Sequence, residues 1–392
     1  MRKLAWIGTA LLLVSCGNGG RDRPTVTVRA GESIQAAVDA AAPGTTIVVE
    51  PGTYREGAGS EHALVITKPD LRIEGRGDED SPVVLEASPG QEVGILVGPA
   101  EVAADRSAVP CVAGDDFAGP ETFLRDFGLE NVVVRGFSEY GVFLKCVDGF
   151  ELRHVDSESN LEYGLFPEFS RNGVLSNCRA TDTPLDAAIY VGKSENVLIT
   201  GSEARASTIG FEVENSRGVE LRQNRAEDNT VGFLLDLLPG PPLKTQARIV
   251  VADSFAIANN RPNAAPPEEL AGAVPPGLGI LVIAGNDIEI TRNRVEGNGF
   301  AGIAVVSFGT VSLVSGIPPD PMGIDPDPRR VRVFANTVVG NGTSPPDDPL
   351  LQTFAADLVW DGVGTENCWE GNGEDVTSVV LFGEELPACS QG

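Results

Sequence analysis

Residues 209–235, "IGFEVENSRGVELRQNRAEDNTVGFLL", contain one full period of the repeat that determines the fold. Gly210 and Gly232 each open a short apolar strand and stand 22 residues apart. Between them lie a second strand, "VELRQ", and the turn sequence "NRAEDN". One period therefore holds two or three short strands separated by turns that contain Asn or Gly. Each strand is too short to bury its apolar side alone, which predicts that successive periods stack on one another.

The glycine pattern recurs along the chain. "YGVFL", "YGLFP", "LGILV" and "AGIAV" contain Gly141, Gly164, Gly279 and Gly302, and Ala187 takes the glycine position in "AAIYV". Within each unbroken run the positions are 22 or 23 residues apart. The strands alternate apolar and polar residues and are rich in β-branched side chains, which excludes a helical solenoid. We therefore expect parallel strands in stacked coils of about 23 residues.

A second signature marks the turns. "NCRATD", "NRAEDN", "NRVEGN", "NTVVGN" and "NCWEGN" begin at Asn177, Asn224, Asn293, Asn336 and Asn367. Asparagine tolerates left-handed backbone φ, and its amide can hydrogen-bond to the same Asn one coil away. We expect these residues to form ladders at the corners of the coils.

The segment "GESIQAAVDAAAPGTTIVVEPGTYRE", which starts at Gly31, predicts a short helix followed by a strand and a turn. Ser33 is the expected N-cap, with Ile34, Val38 and Ala41 on one face. Together with the repeat, this opening resembles the right-handed parallel β-helix of the pectate-lyase-like superfamily, in which such a helix plugs the first coil. The resemblance implies an all-β solenoid with an N-terminal capping helix.

A closer resemblance covers residues 25–375. "VVVRGFSEYGVFLKCVDG", "AAIYVGKSENV" and "LLPGPPLKTQ" are similar to segments of a family of bacterial parallel β-helix repeat lipoproteins. That family implies no assigned reaction and no defined catalytic residues, so none can be placed on this sequence.

The N-terminus predicts export. Arg2 and Lys3 precede a short apolar run, and the following "LVSC" resembles a bacterial lipobox that implies cleavage before Cys16 and a lipid on its thiol. An ordinary signal peptide with a chance Cys is the alternative. The expected organisation is a signal peptide (1–15), a flexible tether (16–24), the β-helix (25–375) and a C-terminal tail (376–392). Gly17 after the Cys favours the outer over the inner membrane.

Charge and cysteines limit the partners. The chain carries 56 acidic and 29 basic residues, a net charge of −27, which disfavours nucleic acid and anionic lipid surfaces. Membrane contact is expected only through the lipid anchor, and a monomer is expected. Export permits disulfides, and the predicted pairs are Cys111–Cys146 and Cys368–Cys389, with Cys178 left over.

The candidate site lies on the glycine-led strands. Positions one and three after each glycine are apolar and should face the core, so positions two and four should face outward. The outward residues form an aromatic and a polar row on an expected exposed sheet face, which predicts polysaccharide binding. An ordinary solvent-facing strand surface is the alternative. The candidate ligand-binding residues are Phe143, Lys145, Phe166, Glu168, Tyr190, Glu212, Glu214 and Asp236.

Four insertions interrupt the period, at residues 238–248, 259–278, 307–330 and 342–353. All four fall beside the glycine-led strands, so we expect them to form walls over the C-terminal half of that sheet. Long loops in a solenoid are often functional. They would cover the apolar outward residues Leu281, Ile283, Ala304 and Val306, and they are either binding walls or simple lids.

Catalysis remains open at this point. The chain has two histidines, His62 and His154, which excludes a His-rich metal site, and His154 is expected to fill a turn or strand edge. The catalytic motifs of polygalacturonases, pectin methylesterases and alginate epimerases are absent. A purely structural envelope protein is a further possibility. No cofactor is expected; calcium has weak support from two acidic pairs, Asp325 with Asp327 and Asp347 with Asp348.

Two enzymatic alternatives use the same face. A lyase would need a base, Lys145 or Tyr190, and a cation that neutralises a uronate. The candidates for that cation are Arg153, Arg171 and Lys193. A glycosidase would need two carboxyls about 5–9.5 Å apart. Glu212 with Glu214, or Glu214 with Asp236, meets this by spacing.

Overall fold

A computed structural model of the protein describes residues 23–316, 323–383 and 385–389. The predicted signal peptide and Cys16 lie outside the described residues. The α-helices within these ranges are α1 (Ile34–Ala40), α2 (Ala100–Ala104), α3 (Phe308–Ser315) and α4 (Pro349–Gln352), and Pro120–Thr122 and Ala271–Ala273 form 3₁₀ turns. Within this part of the chain no helix is both long and apolar enough to cross a membrane.

Short strands make up the rest of the regular structure. The first ten are β1 (Thr25–Val28), β2 (Thr46–Val49), β3 (Gly52–Tyr54), β4 (His62–Ile66), β5 (Leu71–Gly75), β6 (Val83–Glu86), β7 (Val93–Val97), β8 (Val112–Ala113), β9 (Asp116–Phe117) and β10 (Leu124–Arg135). The central strands are β11 (Tyr140–Lys145), β12 (Val147–Glu158), β13 (Tyr163–Glu168), β14 (Arg171–Ser176), β15 (Arg179–Thr181), β16 (Ala187–Gly192), β17 (Glu195–Thr200), β18 (Glu203–Arg205), β19 (Ile209–Glu214), β20 (Arg217–Arg222), β21 (Arg225–Glu227) and β22 (Val231–Asp236). The last are β23 (Ala247–Ala252), β24 (Phe255–Ile257), β25 (Leu278–Ile283), β26 (Asn286–Thr291), β27 (Arg294–Glu296), β28 (Ala301–Val306), β29 (Arg329–Phe334), β30 (Thr337–Val339), β31 (Ala356–Trp360), β32 (Cys368–Glu370) and β33 (Ser378–Val380).

The strands stack coil upon coil in parallel. One sheet, here called the glycine-led sheet, contains β4, β7, β11, β13, β16, β19, β22, β25, β28, β31 and β33 in spatial order. The other strands, apart from the β8–β9 hairpin, form a bent sheet with two ladders that meet in the twelve-residue strands β10 and β12. Each coil therefore contributes to both sheets, as the repeat predicts.

The core runs along the axis of the solenoid. On the glycine-led sheet, the first residue after each glycine pairs with its counterpart one coil away, as Phe211 pairs with Phe233 and Ile280 with Ile303. These side chains are buried in one continuous apolar cluster. The prediction that positions one and three face the core is confirmed.

Helix α1 covers the first coil. The Ser33 hydroxyl accepts a hydrogen bond from the backbone N–H of Ala36, and the Glu56 carboxylate accepts from the N–H of Ile34. Ile34 and Val38 are buried against the first coil. The predicted N-cap and apolar face are confirmed.

A close contact between coils explains the repeated glycine. A Cβ on Gly232 would lie 2.6 Å from the carbonyl oxygen of Gly279, a distance that real Cβ atoms do not tolerate. Gly94, Gly141, Gly164, Gly210, Gly279 and Gly302 make the same contact at 2.3–2.6 Å. In β16 the equivalent residue is Ala188, not Ala187, because Leu165 pairs with Ile189 and this coil is one residue longer.

Asparagine ladders run along the corners, as predicted. The Nδ2 atoms of Asn229, Asn259 and Asn298 each donate to the Oδ1 of the next asparagine at 2.9–3.1 Å, and Asn341 ends the ladder on Asp357. The expected left-handed φ falls instead on the preceding residue, such as Asp228 or Ala258. The ladder asparagines are buried and satisfy backbone groups that would otherwise lack partners.

A second ladder corrects the register of two signatures. Asn293 donates to Asn336, which donates to Asn372, so Asn372 rather than Asn367 holds the ladder position in the last coil. In the "NCRATD" turn Asn177 has the left-handed φ of 52°, and Cys178 takes the ladder position with its N–H on Ser202 Oγ.

Both predicted disulfides are present, Cys111–Cys146 and Cys368–Cys389. The first joins the β8–β9 hairpin to the end of β11, and the second ties the C-terminal segment to β32. Cys178 is buried and free.

The glycine contact yields a stability prediction. Gly232→Ala should lower the free energy of unfolding by about 1–3 kcal/mol, because its Cβ would overlap the Gly279 carbonyl. Gly240→Ala is the matched control, since a Cβ there meets nothing within 4 Å, and it should change stability by less than about 0.5 kcal/mol. Urea unfolding followed by circular dichroism measures both; equal effects would contradict the explanation.

Candidate functional site

The outward residues of the glycine-led sheet are brought together as the sequence predicts. Lys145 pairs with Glu168, Glu168 with Gly192, Gly192 with Glu214, and Glu214 with Asp236 in the strand register. Tyr190 and Glu212 are register neighbours in the second outward row. All eight candidate residues therefore lie on one face, outside the axial core.

That face is not exposed, so the predicted exposed sheet face is wrong. Phe143, Phe166 and Tyr190 are 1–6% exposed, and Glu168 is half-buried. The rings cover one another: Phe143 stacks on Phe166 at 4.7 Å, and Phe166 meets Tyr190 edge-on at 4.8 Å. Lys145, Glu212, Glu214 and Asp236 are also buried, at 1–7% exposure. The face is a second packed layer rather than an open surface.

A third outward position was missed by sequence reasoning. The residue before each glycine also packs on the outer side of this sheet, as Tyr140, Tyr163 and Ile209 do. The hydrogen-bonded pairing between neighbouring strands skips the glycine, as it does between Ile209 and Phe211, so the alternation of inward and outward side chains breaks at that residue. A strict alternation continued through the glycine would wrongly predict that the residue before it points inward. The available signal was that a tyrosine precedes the glycine in two successive coils, in "YGVFL" and "YGLFP".

An open polar cleft of about 680 Å³, here called the polar cleft, lies over β11, β13 and β16. Five candidate residues, Phe143, Lys145, Phe166, Glu168 and Tyr190, contribute to its floor. Residues that sequence reasoning did not assign to the site complete its walls: His62, Arg106, Glu139, Tyr140, Glu162 and Tyr163. The rings of Tyr140 and Tyr163 are half-buried.

The cations of the polar cleft are paired. Arg106 bridges Glu92 and Glu139. Lys145 Nζ lies 3.3 Å from Glu168 and donates to the Arg106 carbonyl at 2.8 Å. His62 lies at the cleft wall, where burial, followed by the charge of Arg106, lowers its pKa.

A chain of polar contacts continues toward the C-terminal half. Lys193 Nζ lies 3.5 Å from Glu168 and 2.8 Å from Glu214, and it also contacts the Tyr190 hydroxyl. Tyr190 donates to Glu214 at 2.5 Å. These four side chains separate the polar cleft from a second compartment.

The second compartment, here called the covered cavity, has a volume of about 260 Å³. Its floor is β19, β22, β25 and β28, and its cover comes from residues 259–277, α3 and α4. The apolar outward residues Leu281, Ile283, Ala304 and Val306 are 4–8% exposed, which confirms that the insertions cover them. The insertion at residues 238–248 is held at the sheet edge by Asn215, whose amide donates to the Leu238 and Leu243 carbonyls.

Four acidic residues line one end of the covered cavity: Asp186, Glu212, Glu214 and Asp236. Asp186 was not predicted; its carboxylate accepts from the Tyr163 hydroxyl at 2.7 Å. Glu212 Oε2 and Asp236 Oδ1 are buried and have no hydrogen-bond partner within the described residues. The pair suggested by spacing, Glu214 and Asp236, is thus split between one carboxylate held by Lys193 and one with an unpartnered oxygen.

Burial changes the acidity of these groups. It raises the pKa of Asp186 to about 7, against the lowering effect of the Tyr163 hydrogen bond. It raises the pKa of Glu212 and of Asp236 well above the usual range, with neighbouring carboxylates adding to the effect. It also raises the pKa of Glu162 in the polar cleft to about 7. Near neutral pH Asp186 and Glu162 are therefore partly protonated.

The remaining candidates lie elsewhere. Arg153 and Arg171 belong to the bent sheet and pair with Glu130 and Asp148, so they do not face the site. His154 is exposed within β12 with a φ of 50°, consistent with a structural position. Asp325 pairs with Arg329, and Asp348 caps α4. Among the described residues no group of three or more His, Cys, Asp or Glu could hold a metal ion.

The raised pKa values predict that stability falls as the pH rises. In the unfolded chain these carboxyls ionise near pH 4, whereas the folded protein keeps them protonated to higher pH. The free energy of unfolding should therefore decrease from about pH 4 to about pH 7. With Asp186→Asn, the unfolding temperature should fall less steeply as the pH rises than it does in the parent protein. Asp182→Asn, an exposed position in the same turn, should keep the parent slope; an unchanged slope in Asp186→Asn would contradict the assignment.

The comparisons with known proteins identify the fold. Residues 127–316 match the family model described as "Right handed beta helix region". No curated protein matches the sequence. The A-module of the Azotobacter vinelandii mannuronan C-5 epimerase AlgE6 is similar over 91% of this chain and 93% of its own, with 17% identity and a TM-score of 0.60.

Two further solved structures are similar. The A-module of Azotobacter vinelandii mannuronan C-5 epimerase AlgE4 has 16% identity over 91% of this chain and 94% of its own, with a TM-score of 0.54. A mutant DFA-IIIase from Arthrobacter chlorophenolicus A6 has 14% identity over 91% of this chain and 79% of its own, with a TM-score of 0.50. These identities establish the fold alone. The chain has a right-handed parallel β-helix fold.

Proposed function

We propose that the protein binds a neutral polysaccharide or oligosaccharide in the polar cleft. The observation that carries the proposal is a cleft of about 680 Å³ in which the half-buried rings of Tyr140 and Tyr163 stand beside Glu162 and Glu168. Its volume is within the range of ligand-binding clefts. Aromatic rings offer flat apolar surfaces to sugar rings, and carboxylates accept hydrogen bonds from sugar hydroxyls.

The charges of the cleft favour a neutral ligand. Five acidic residues, Glu61, Asp105, Glu139, Glu162 and Glu168, line it, against the cations Arg106, Lys145 and Lys193. All three cations already contact carboxylates, so little positive charge is left for a uronate. The net charge of −27 adds to the repulsion of polyanions.

The same contacts disfavour a uronate lyase. Burial raises the pKa of Tyr190 well above its usual value, so this hydroxyl is a poor base. Lys145 is 5% exposed and held by Glu168 and the Arg106 carbonyl. The fold shared with the mannuronan epimerases is an analogy of architecture and supplies no catalytic residue.

Glycoside hydrolysis is the second candidate. Asp186, with its pKa raised to about 7, lies near Glu214, which Lys193 and Tyr190 hold by hydrogen bonds. Hydrolysis requires an acid and a second carboxyl, and both residues line the covered cavity. Release of reducing ends from a bound glycan, lost in Asp186→Asn, would establish this activity, whereas binding without release would leave the binding function alone.

The proposed setting is the cell envelope, with Cys16 as the lipid attachment point. The two disulfides fit an oxidising compartment. Cys16→Ser should move the protein from the membrane fraction to the soluble fraction of fractionated cells. Cys178→Ser is the control and should leave the distribution unchanged. A Cys16→Ser protein that stays with membranes would contradict the anchor.

The glycan proposal predicts a selective loss of affinity. On a glycan array and by titration calorimetry, neutral oligosaccharides should bind and polyuronates should not. Glu168→Gln should weaken the neutral ligand about tenfold, since a charge-assisted hydrogen bond is lost. Glu158→Gln, on β12 of the bent sheet, should bind like the parent. Binding of polyuronates in preference to neutral glycans would overturn the proposal.

A further inference from the structure

The covered cavity is a compartment that glycan binding in the polar cleft does not use. Its wall away from the carboxyl end is apolar, formed among others by Leu281, Phe300, Ala304 and Phe354. At about 260 Å³ it exceeds the 150 Å³ of an engineered apolar cavity that takes up benzene. It corresponds to roughly nine water-sized volumes. The cavity thus has room for a small organic molecule of about nine non-hydrogen atoms.

Two unsatisfied acceptors face this space. Glu212 projects from β19 and Asp236 from β22, and both line the cavity. They are 6% and 1% exposed, and Glu212 Oε2 and Asp236 Oδ1 have no hydrogen-bond partner within the described residues. The other two carboxyls at this end are engaged, Asp186 by Tyr163 and Glu214 by Tyr190 and Lys193. A buried acceptor without a donor costs free energy, so a ligand that supplies donors there would be stabilised.

Burial and the neighbouring carboxylates favour the protonated forms of Glu212 and Asp236, so a cationic ligand head binds there by taking the place of a proton, which is released. An anionic head would find no free cation, because Lys193 already contacts Glu214 and Glu168. A bare metal ion would need several converging oxygens, which the described residues do not provide. A primary ammonium carries one positive charge and three donors, which suits two acceptors on neighbouring strands.

We propose that the covered cavity binds a primary amine attached to an apolar chain or ring, with its ammonium against Glu212 and Asp236. The apolar body lies among Leu281, Phe300 and Ala304. Leu270, which lines the cavity and is 38% exposed, marks the side on which the cover opens to solvent. This site is independent of glycan binding in the polar cleft, because its ligand contains no sugar and its contacts lie on β19–β28. It shares the carboxyl end of the covered cavity with the hydrolysis candidate, but its own acceptors are Glu212 and Asp236.

Matched probes of equal length separate the contribution of the charge from that of the apolar body. Octylamine, 1-octanol and octanoate would each be titrated into the full-length protein at pH 7 and followed by calorimetry. Octylamine should bind at least tenfold more tightly than 1-octanol, and octanoate should not bind measurably. Comparable affinity of the alcohol and the amine, or no binding of octylamine, would overturn the proposal.

Variants locate the amine. Glu212→Gln combined with Asp236→Asn should weaken octylamine at least tenfold while leaving 1-octanol unchanged. Ala304→Phe keeps the carboxyls and fills the cavity, so it should abolish binding of both; it also serves if the double variant fails to fold. Glu220→Gln, exposed on β20 of the bent sheet, is the control for non-specific attraction to an acidic protein. Full octylamine affinity in the double variant and in Ala304→Phe would show that the amine binds elsewhere.

Discussion

The contact between a glycine of one coil and the backbone carbonyl of the next is the constraint on which the rest of the structure depends. At Gly232 and its six counterparts, that carbonyl occupies the place of a side chain. The parallel ladder skips this position, so the alternation of the strand breaks at the glycine. As a result three residues per coil, rather than two, point away from the axis. The second packed layer on the glycine-led sheet, with Tyr140, Tyr163 and the carboxyls, follows from this arrangement.

Much of the fold could be predicted from the sequence because its determinants are local and repeated. Spacing of the glycines gave the coils, Ser33 gave the capping helix, and alternation gave the inward and outward sides of residues such as Phe211 and Glu212. Exposure could not be predicted in this way. Whether Glu212 meets water depends on segments distant in sequence, such as α3, which packs over β28. Ser307 and Gly316 are N-cap and C-cap signals for that helix, yet they do not indicate what the helix covers.

Burial changes the chemical meaning of the acidic residues. On an exposed strand, Glu214 and Asp236 would repel each other weakly across about 4.8 Å and remain ionised. Beneath the insertions the two side chains have different partners. Lys193 and Tyr190 donate hydrogen bonds to Glu214, whereas Asp236 has an oxygen without a partner within the described residues. The cations Arg106, Lys145 and Lys193 line the polar cleft, where each contacts a carboxylate. The covered cavity has four acidic residues, and only Glu214 among them contacts Lys193. Neutral or cationic ligands fit both compartments better than anions do.

The most direct test of this account is a carbon-13 NMR titration of the side-chain carboxyl carbons, with Asp186→Asn, Glu212→Gln and Asp236→Asn used to assign the signals. The account predicts that Asp186 titrates at about pH 7 and that Glu212 and Asp236 titrate well above the ordinary range of carboxyls. Titration of all three near pH 4 would show that this part of the glycine-led face is open to water, and it would contradict the buried carboxyl cluster of the covered cavity.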